Sequence, residues 1–376
     1  MPTTWWFSVI NPMGVLQHPA ARTRAGAPAA PSAGEFPAYP LSWYLLGASR
    51  EVRRDRPLAR EIAGRRLVAF RTSRGTPVLL ESRCCHLGAD LSLGRICGDA
   101  IQCPFHHWEF GPDGACTKIP VRDDIPRWAQ QTSYPVVERH GLVFFFNASE
   151  ALFPLPFFFG CRPDDFSRAR PFATTLDCPW YLVGANAFDL QHFRAAHDRR
   201  LVGLPEVDCP APFARRATGT FDVASDSLLD RLTRALAGSQ VTMSITDYCG
   251  NLLFATAQFR RTCSYGMVCT TPLSSGQTRV AVVVFVPRSA SLAGRCLLDP
   301  LHAEVRRLFI KKFLSADAAR LAGTRYSPSG LIAEDQHLAD YFLWLVQSSQ
   351  GNAWAGQAVP PAAQSRPLPS VSEVSP

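Results

Sequence analysis

Four residues constrain this chain more than any other feature: Cys84-x-His86 and, after sixteen intervening residues, Cys103-x-x-His106. The first pair follows the strand-like run "PVLLESR", and the second lies in "IQCPFHHWEF". Two loops that each offer one thiolate and one imidazole can converge on a small metal centre. The ligand letters are doubled, as Cys84-Cys85 and His106-His107, so spacing alone leaves either member of each doublet open. Two centres are open as well. Tetrahedral zinc takes Cys2His2 sets, whereas one class of [2Fe–2S] cluster holds one iron with two cysteines and the other with two histidines. Zinc fingers group the cysteines in one pair and the histidines in the other. Here each pair carries one of each, which lets both loops touch both irons.

A second constellation follows, Asn186-x-x-Asp189-x-x-His192-x4-His197. Residues 184–200 read as a helix on which Asp189 and His192 share a face. His192 and His197 stand about 140° apart on an ideal helix, so their convergence calls for a distorted helix, for instance one with a π-type turn between them. The alternative is a pair of ordinary surface histidines. Further on, 331-LIAEDQHLADYFLWLVQ reads as an amphipathic helix with an apolar stripe of Leu331, Leu338, Phe342 and Leu345. Of its carboxylates, Glu334 lies at the edge of that stripe, Asp340 opposite it, and Asp335 within it. A lone carboxylate on a buried face is costly unless it is paired or bound to metal.

The motif "C-x-H-L-G-A-x-L-x-x-G" followed by "C-P-F-H-x-W-x-F-x-x-x-G-x-C" resembles the Rieske domain of the Rieske non-haem iron oxygenases. That resemblance covers residues 36–120 and implies Cys84 and Cys103 on one iron, His86 and His106 on the other. Cys85 and His107 then become non-ligands, and most of the family carries glycine where this chain has His107. The second constellation is similar to the family's mononuclear-iron motif. It implies His192, His197 and, as the carboxylate, Asp335 as ligands of Fe(II), with Asn186 and Asp189 in supporting catalytic positions. Asp189 would bridge His192 to His106 of a neighbouring subunit, which implies a ring-shaped homotrimer. The partners implied are a reductase or ferredoxin drawing on NAD(P)H, O2, and a small-molecule substrate. Monohydroxylation, arylamine N-oxygenation, demethylation and ring closure are the outcomes in view. A Rieske electron carrier without catalysis is the competing class.

The remaining composition fits these expectations. Apolar residues make up 47% and charged residues 19% of 376, enough for two domains with real cores. The reading divides the chain into a disordered leader (1–36), a Rieske domain (37–150), a catalytic domain (151–350) and a disordered tail (351–376). Short strands with turns fill 41–150. Long β runs between about 216 and 288, followed by two amphipathic helices, predict an α+β fold in the second half, a helix-grip-like antiparallel sheet with packed helices. The net charge of +8 is almost all dispersed arginine, with lysine only at Lys118, Lys311 and Lys312. No basic run interleaves with aromatics, so nucleic-acid binding is not expected. The apolar runs are too short to span a bilayer, and no signal peptide is read, so the expected location is cytoplasmic. Phe, Leu and Val dominate the second half, which favours an apolar, ring-containing substrate.

Overall fold

The computed structural model describes residues 27–197, 199–223, 231, 233–235, 237–273 and 276–352. Most of the predicted leader and tail, 1–26 and 353–376, lies outside them. The predicted leader runs to 36, yet Phe36 is buried and its ring stacks on Tyr181 at 4.0 Å. An aromatic side chain placed so deep belongs to the core of the second half.

Three small antiparallel sheets build the first half. One joins β1 (Trp43–Ala48), β10 (Leu142–Phe146) and β9 (Val136–Arg139) in that order. Another joins β2 (Leu58–Ile62), β3 (Arg65–Arg71) and β4 (Pro77–Glu81). The third runs β5 (Arg95–Cys97), β6 (Ala100–Gln102), β7 (Glu109–Phe110), β8 (Cys116–Lys118). Just before β5 the chain passes close to the end of β6: a Cβ at Gly94 would meet the Gln102 carbonyl at 2.0 Å.

The second half is one antiparallel sheet of eight strands. β11 (Phe166–Arg168) and β12 (Phe172–Leu176) both pair with β18 (Thr278–Pro287). From there the order runs through β17 (Cys263–Pro272), β16 (Leu252–Phe259), β15 (Gln240–Tyr248), β14 (Ala214–Val223) and β13 (Arg199–Ala211). β13 escapes the sequence reading because Gly203, Pro205 and Pro210 read as breakers. The strand keeps them by slipping register between Val202 and Glu206 and between Asp208 and Ala211. Helices pack with this sheet, among them α1 (Trp180–Ala185), α2 (Leu190–His197), α3 (Asp299–Leu321) and α4 (Gln336–Ser349). The predicted helix over 184–200 is thus two helices broken at 186–189.

β18, "TRVAVVVFVP", explains how the halves join. Side chains alternate across a strand. Val280, Val282, Val284 and Val286 face a core with Trp180, Ala303, Phe342 and Trp344 from the helices. Ala281, Val283 and Phe285 face another core with Trp43, Leu142, Phe144 and Phe146 of the first half. A strand buried on both faces reads as an unbroken apolar run. The α+β architecture predicted from sequence is the one observed. Among the described residues no helix is long and apolar enough to cross a membrane.

Candidate functional site

The first ligand loop leaves β4 at Ser82. Asp90 holds it closed, accepting from the Ser82 hydroxyl, from Ser92 N and Oγ at 2.9 and 2.6 Å, and from Arg66. Burial pushes the Asp90 carboxyl up, but these hydrogen bonds outweigh it and leave it at about 2. Inside the loop, Gly88 N donates to Cys84 O at 2.8 Å and Cys84 N to Ala89 O at 2.8 Å. Gly88 has φ +74°, a conformation glycine adopts without strain. Gln131 braces the loop from behind: its Oε1 accepts from Cys85 N, and its Nε2 donates to Glu81 O and Arg83 O.

The second loop turns between β6 and β7. Cys103 N donates to Trp108 O at 2.8 Å and His107 N to Cys103 O at 3.2 Å. So tight a turn puts His107 at φ +58°, in the left-handed region. The departure from glycine noted in the sequence therefore sits at a position whose backbone suits glycine.

Together the loops bring the predicted residues into two like pairs. Cys84 and Cys103 are 3% and 1% exposed and are hydrogen-bonding neighbours. Burial pushes the Cys84 thiol up to about 12, with Cys103 adding to the effect. The His86 and His106 rings lie 4.7 Å apart. Trp108 stacks flat on His86, 4.4 Å between centroids and 6° between planes, and so fixes that imidazole. His86 Nδ1 is buried with no hydrogen-bond partner among the described residues. A buried nitrogen without a partner, beside two buried thiols, suits a bound metal centre. Cys85 turns elsewhere: it packs on the small-domain core near Cys116, and burial raises its thiol too. His106 is exposed, flanked by Phe105 and Leu87, so the histidine edge faces the surface.

The second constellation assembles differently from its sequence reading. Asp189 precedes α2 and caps it: its Oδ1 accepts from Gln191 N at 2.9 Å and His192 N at 3.2 Å. α2 is α-helical through to His197, its last residue, so the π-type turn expected between the two histidines is not there. The His197 side chain lies outside the described residues. A π turn does occur in the chain, at Gly294–Leu298, leading into α3.

Among the described residues, Asp317 of α3 faces His192, with its Oδ1 3.2 Å from His192 Nε2. Asp335 is tied to Gln191, the residue before His192. Its Oδ1 accepts from Gln191 Nε2 at 2.8 Å and its Oδ2 from Ile332 N at 3.0 Å. The wheel that put Asp335 on a buried stripe assumed helix from 331, but α4 starts at Gln336 and Asp335 closes a single 3-10 turn before it. The same argument applied to α3 finds Asp317: Ala303, Ile310, Leu314 and Leu321 face inward there, and Asp317 falls on their side.

His192 and Asp317 share the wall of a cavity of about 450 Å³ between the sheet and α3. Its lining is mostly apolar, with Val183, Phe193, Ile245, Val282, Phe309 and Leu314 among the walls and Asn186, Thr256 and Ser264 as polar points. That size and polarity suit a small apolar molecule.

Residues 42–129 match the family model of the Rieske [2Fe-2S] domain. Over 284 residues the chain is 30% identical to the aminopyrrolnitrin oxygenase PrnD of Pseudomonas fluorescens, across 68% of this chain and 77% of that protein. The chain belongs to the Rieske oxygenases. It is also 41% identical over 114 residues to the oxygenase component of a 3-ketosteroid-9-alpha-monooxygenase of Rhodococcus rhodochrous, a match that spans 30% of each protein. In fold, this Rieske oxygenase is similar to apo dicamba monooxygenase, with a TM-score of 0.59, 19% identity and coverage of 83% of this chain and 97% of that one. The cofactors of a Rieske oxygenase are a [2Fe–2S] cluster and a mononuclear non-haem iron. The paired thiols with the unsatisfied His86 nitrogen fit the first, and the imidazole–carboxylate pair at the cavity wall fits the second.

Proposed function

We propose that this Rieske oxygenase is the terminal oxygenase of an electron-transfer chain and oxidises an apolar, ring-containing small molecule in the cavity beside His192. Cys84 and Cys103 would hold one iron of the cluster, His86 and His106 the other. His192, His197 and Asp317 would hold the mononuclear iron as a two-histidine, one-carboxylate set. When bound, these centres supply electron relay and O2 activation. The observation that carries the reading is the His192–Asp317 pair at 3.2 Å on the wall of an apolar cavity. A pure electron carrier has no use for that cavity, which weighs against the carrier reading.

The chain's own residues do the rest. Trp108 stacked on His86 keeps one imidazole in a fixed plane. Asp189, by capping α2, sets the end of the helix that presents His192. The apolar walls exclude water and orient substrate by shape, while Asn186, Thr256 and Ser264 are among the groups able to hydrogen-bond it. Electrons would come one at a time from a reductase or ferredoxin that draws on NAD(P)H. The bridging role of Asp189, and with it a homotrimer, and a cytoplasmic location complete the reading. N-oxygenation of an arylamine is the favoured variant of the chemistry. It rests on the aminopyrrolnitrin oxygenase, whose match extends over 68% of this chain.

The test is a set of alanine variants assayed for iron and product. Asp317→Ala and His192→Ala should lose the mononuclear iron while keeping the cluster absorption. Product formation should fall by more than roughly a hundredfold, beyond the range usual for residues that only support a ligand. Asp335→Ala should keep its iron. Loss of iron in Asp335→Ala with retention in Asp317→Ala would reverse the ligand assignment.

A further inference from the structure

α3 is apolar on two opposite faces. Inward, Ala303, Ile310, Leu314 and Leu321 pack on the sheet, and Phe309, Ile310 and Leu314 line the cavity. Outward, Leu297 of the π turn and Leu301, Val305 and Leu308 of the helix recur at i, i+4, i+8 and i+11 and are 71%, 58%, 58% and 56% exposed. Leu292, on the loop just before the π turn, is 75% exposed. Single exposed leucines need no explanation, but a continuous stripe along one helix does.

The exposed charges beside the stripe are mainly basic. Arg170, Arg295 and Lys312 are exposed beside it. The acid on this side, Glu304, is already bonded to Arg307, with Arg170 close enough to lower its carboxyl further. Asp299, at the start of the helix, is buried against Ser289. Pairing two copies of this face would set one basic rim against another. An anionic surface complements it.

We propose that the outer face of α3, with the loop before it, is a docking surface for an anionic lipid bilayer. The leucines and Val305 enter the boundary between headgroups and acyl chains, and Arg170, Arg295 and Lys312 meet the lipid phosphates. The contact is peripheral and spans nothing. It puts the helix that walls the cavity directly against the phase where an apolar substrate is most concentrated. Lipid binding does not depend on the oxygenase reading, so either can fail without the other.

The experiment is flotation of the full chain, loaded with its cofactors, with vesicles of phosphatidylglycerol and phosphatidylcholine in equal parts, against vesicles of phosphatidylcholine alone. The protein should float with the anionic vesicles, much less with the neutral ones, and be released by high salt. Leu301→Glu/Val305→Glu and, separately, Arg295→Glu/Lys312→Glu should each lower the bound fraction by roughly tenfold or more. Both should keep the cluster absorption and turnover of a water-soluble substrate. The charge pair lies on the surface and keeps the test valid if the apolar pair fails to fold. Absence of flotation with anionic vesicles overturns the proposal, as does binding that both variants retain. A change of molecular mass in Leu301→Glu/Val305→Glu, without vesicle binding by the parent, would assign the face to a second copy instead.

Discussion

His107 sits at φ +58° beside His106, in a turn closed by hydrogen bonds at Cys103. Histidine tolerates the left-handed region better than most residues, but its Cβ still crowds the following carbonyl. His107→Gly should therefore stabilise the protein by about 1 kcal/mol or less, since glycine also gains freedom in the unfolded chain. Thermal melts of the loaded protein check this, and the cluster absorption should be unchanged. A fall in melting temperature would mean that the imidazole makes a contact worth more than the strain. Which member of each doublet ligates is a question at this scale too. Cys84 is buried against Cys103, while Cys85 packs near Cys116 and gives its N–H to Gln131.

Where a helix starts decides which side chains share its face. Extending α4 backward by five residues placed Asp335 in the core; its true start leaves Asp335 bonded to Gln191 and Ile332. α4 is instead anchored by Tyr341, which donates to the buried Asp247 of β15 at 2.5 Å and stacks on Phe188 at 4.3 Å. Gly250 N donates to the same carboxyl. Burial raises Asp247 to about 7 despite these bonds. The folded protein thus keeps a proton up to about 7, where the unfolded chain releases it near pH 4. The stability this group contributes is complete below its unfolded value and is lost as pH rises through about 7. Asp247→Asn should flatten the decline in melting temperature between roughly pH 4 and 7. Parallel slopes in variant and parent would assign the decline to other groups.

At the scale of the whole molecule, the two halves share a core. Trp43 of β1 is 2% exposed and packs with Leu252, Phe254 and Phe285 of the large sheet, its indole N–H donating to Phe153 O at 2.9 Å. Trp43→Ala should cost about 3–5 kcal/mol. Because that core belongs to both halves, denaturation followed by cluster absorption and by far-UV circular dichroism should shift together. Loss of the cluster alone at low denaturant would show that the halves unfold separately.

The metal-binding loops, the α+β class and the chain's split character were legible in the sequence because each rests on local pattern: ligand spacing, strand alternation, apolar runs. The long-range pairings were not. Asp317 stands 125 residues from His192, and nothing between them signals that α3 folds over the sheet to within 3.2 Å of it. β13 was missed for a related reason, since bulges that absorb glycine and proline are set by the neighbouring strand. By itself the sequence determined which residue types could hold metal and roughly where the strands run, because those depend on neighbours along the chain. Tertiary structure alone decided which carboxylate meets which histidine and how deep the cavity lies, because burial and long-range packing fix those.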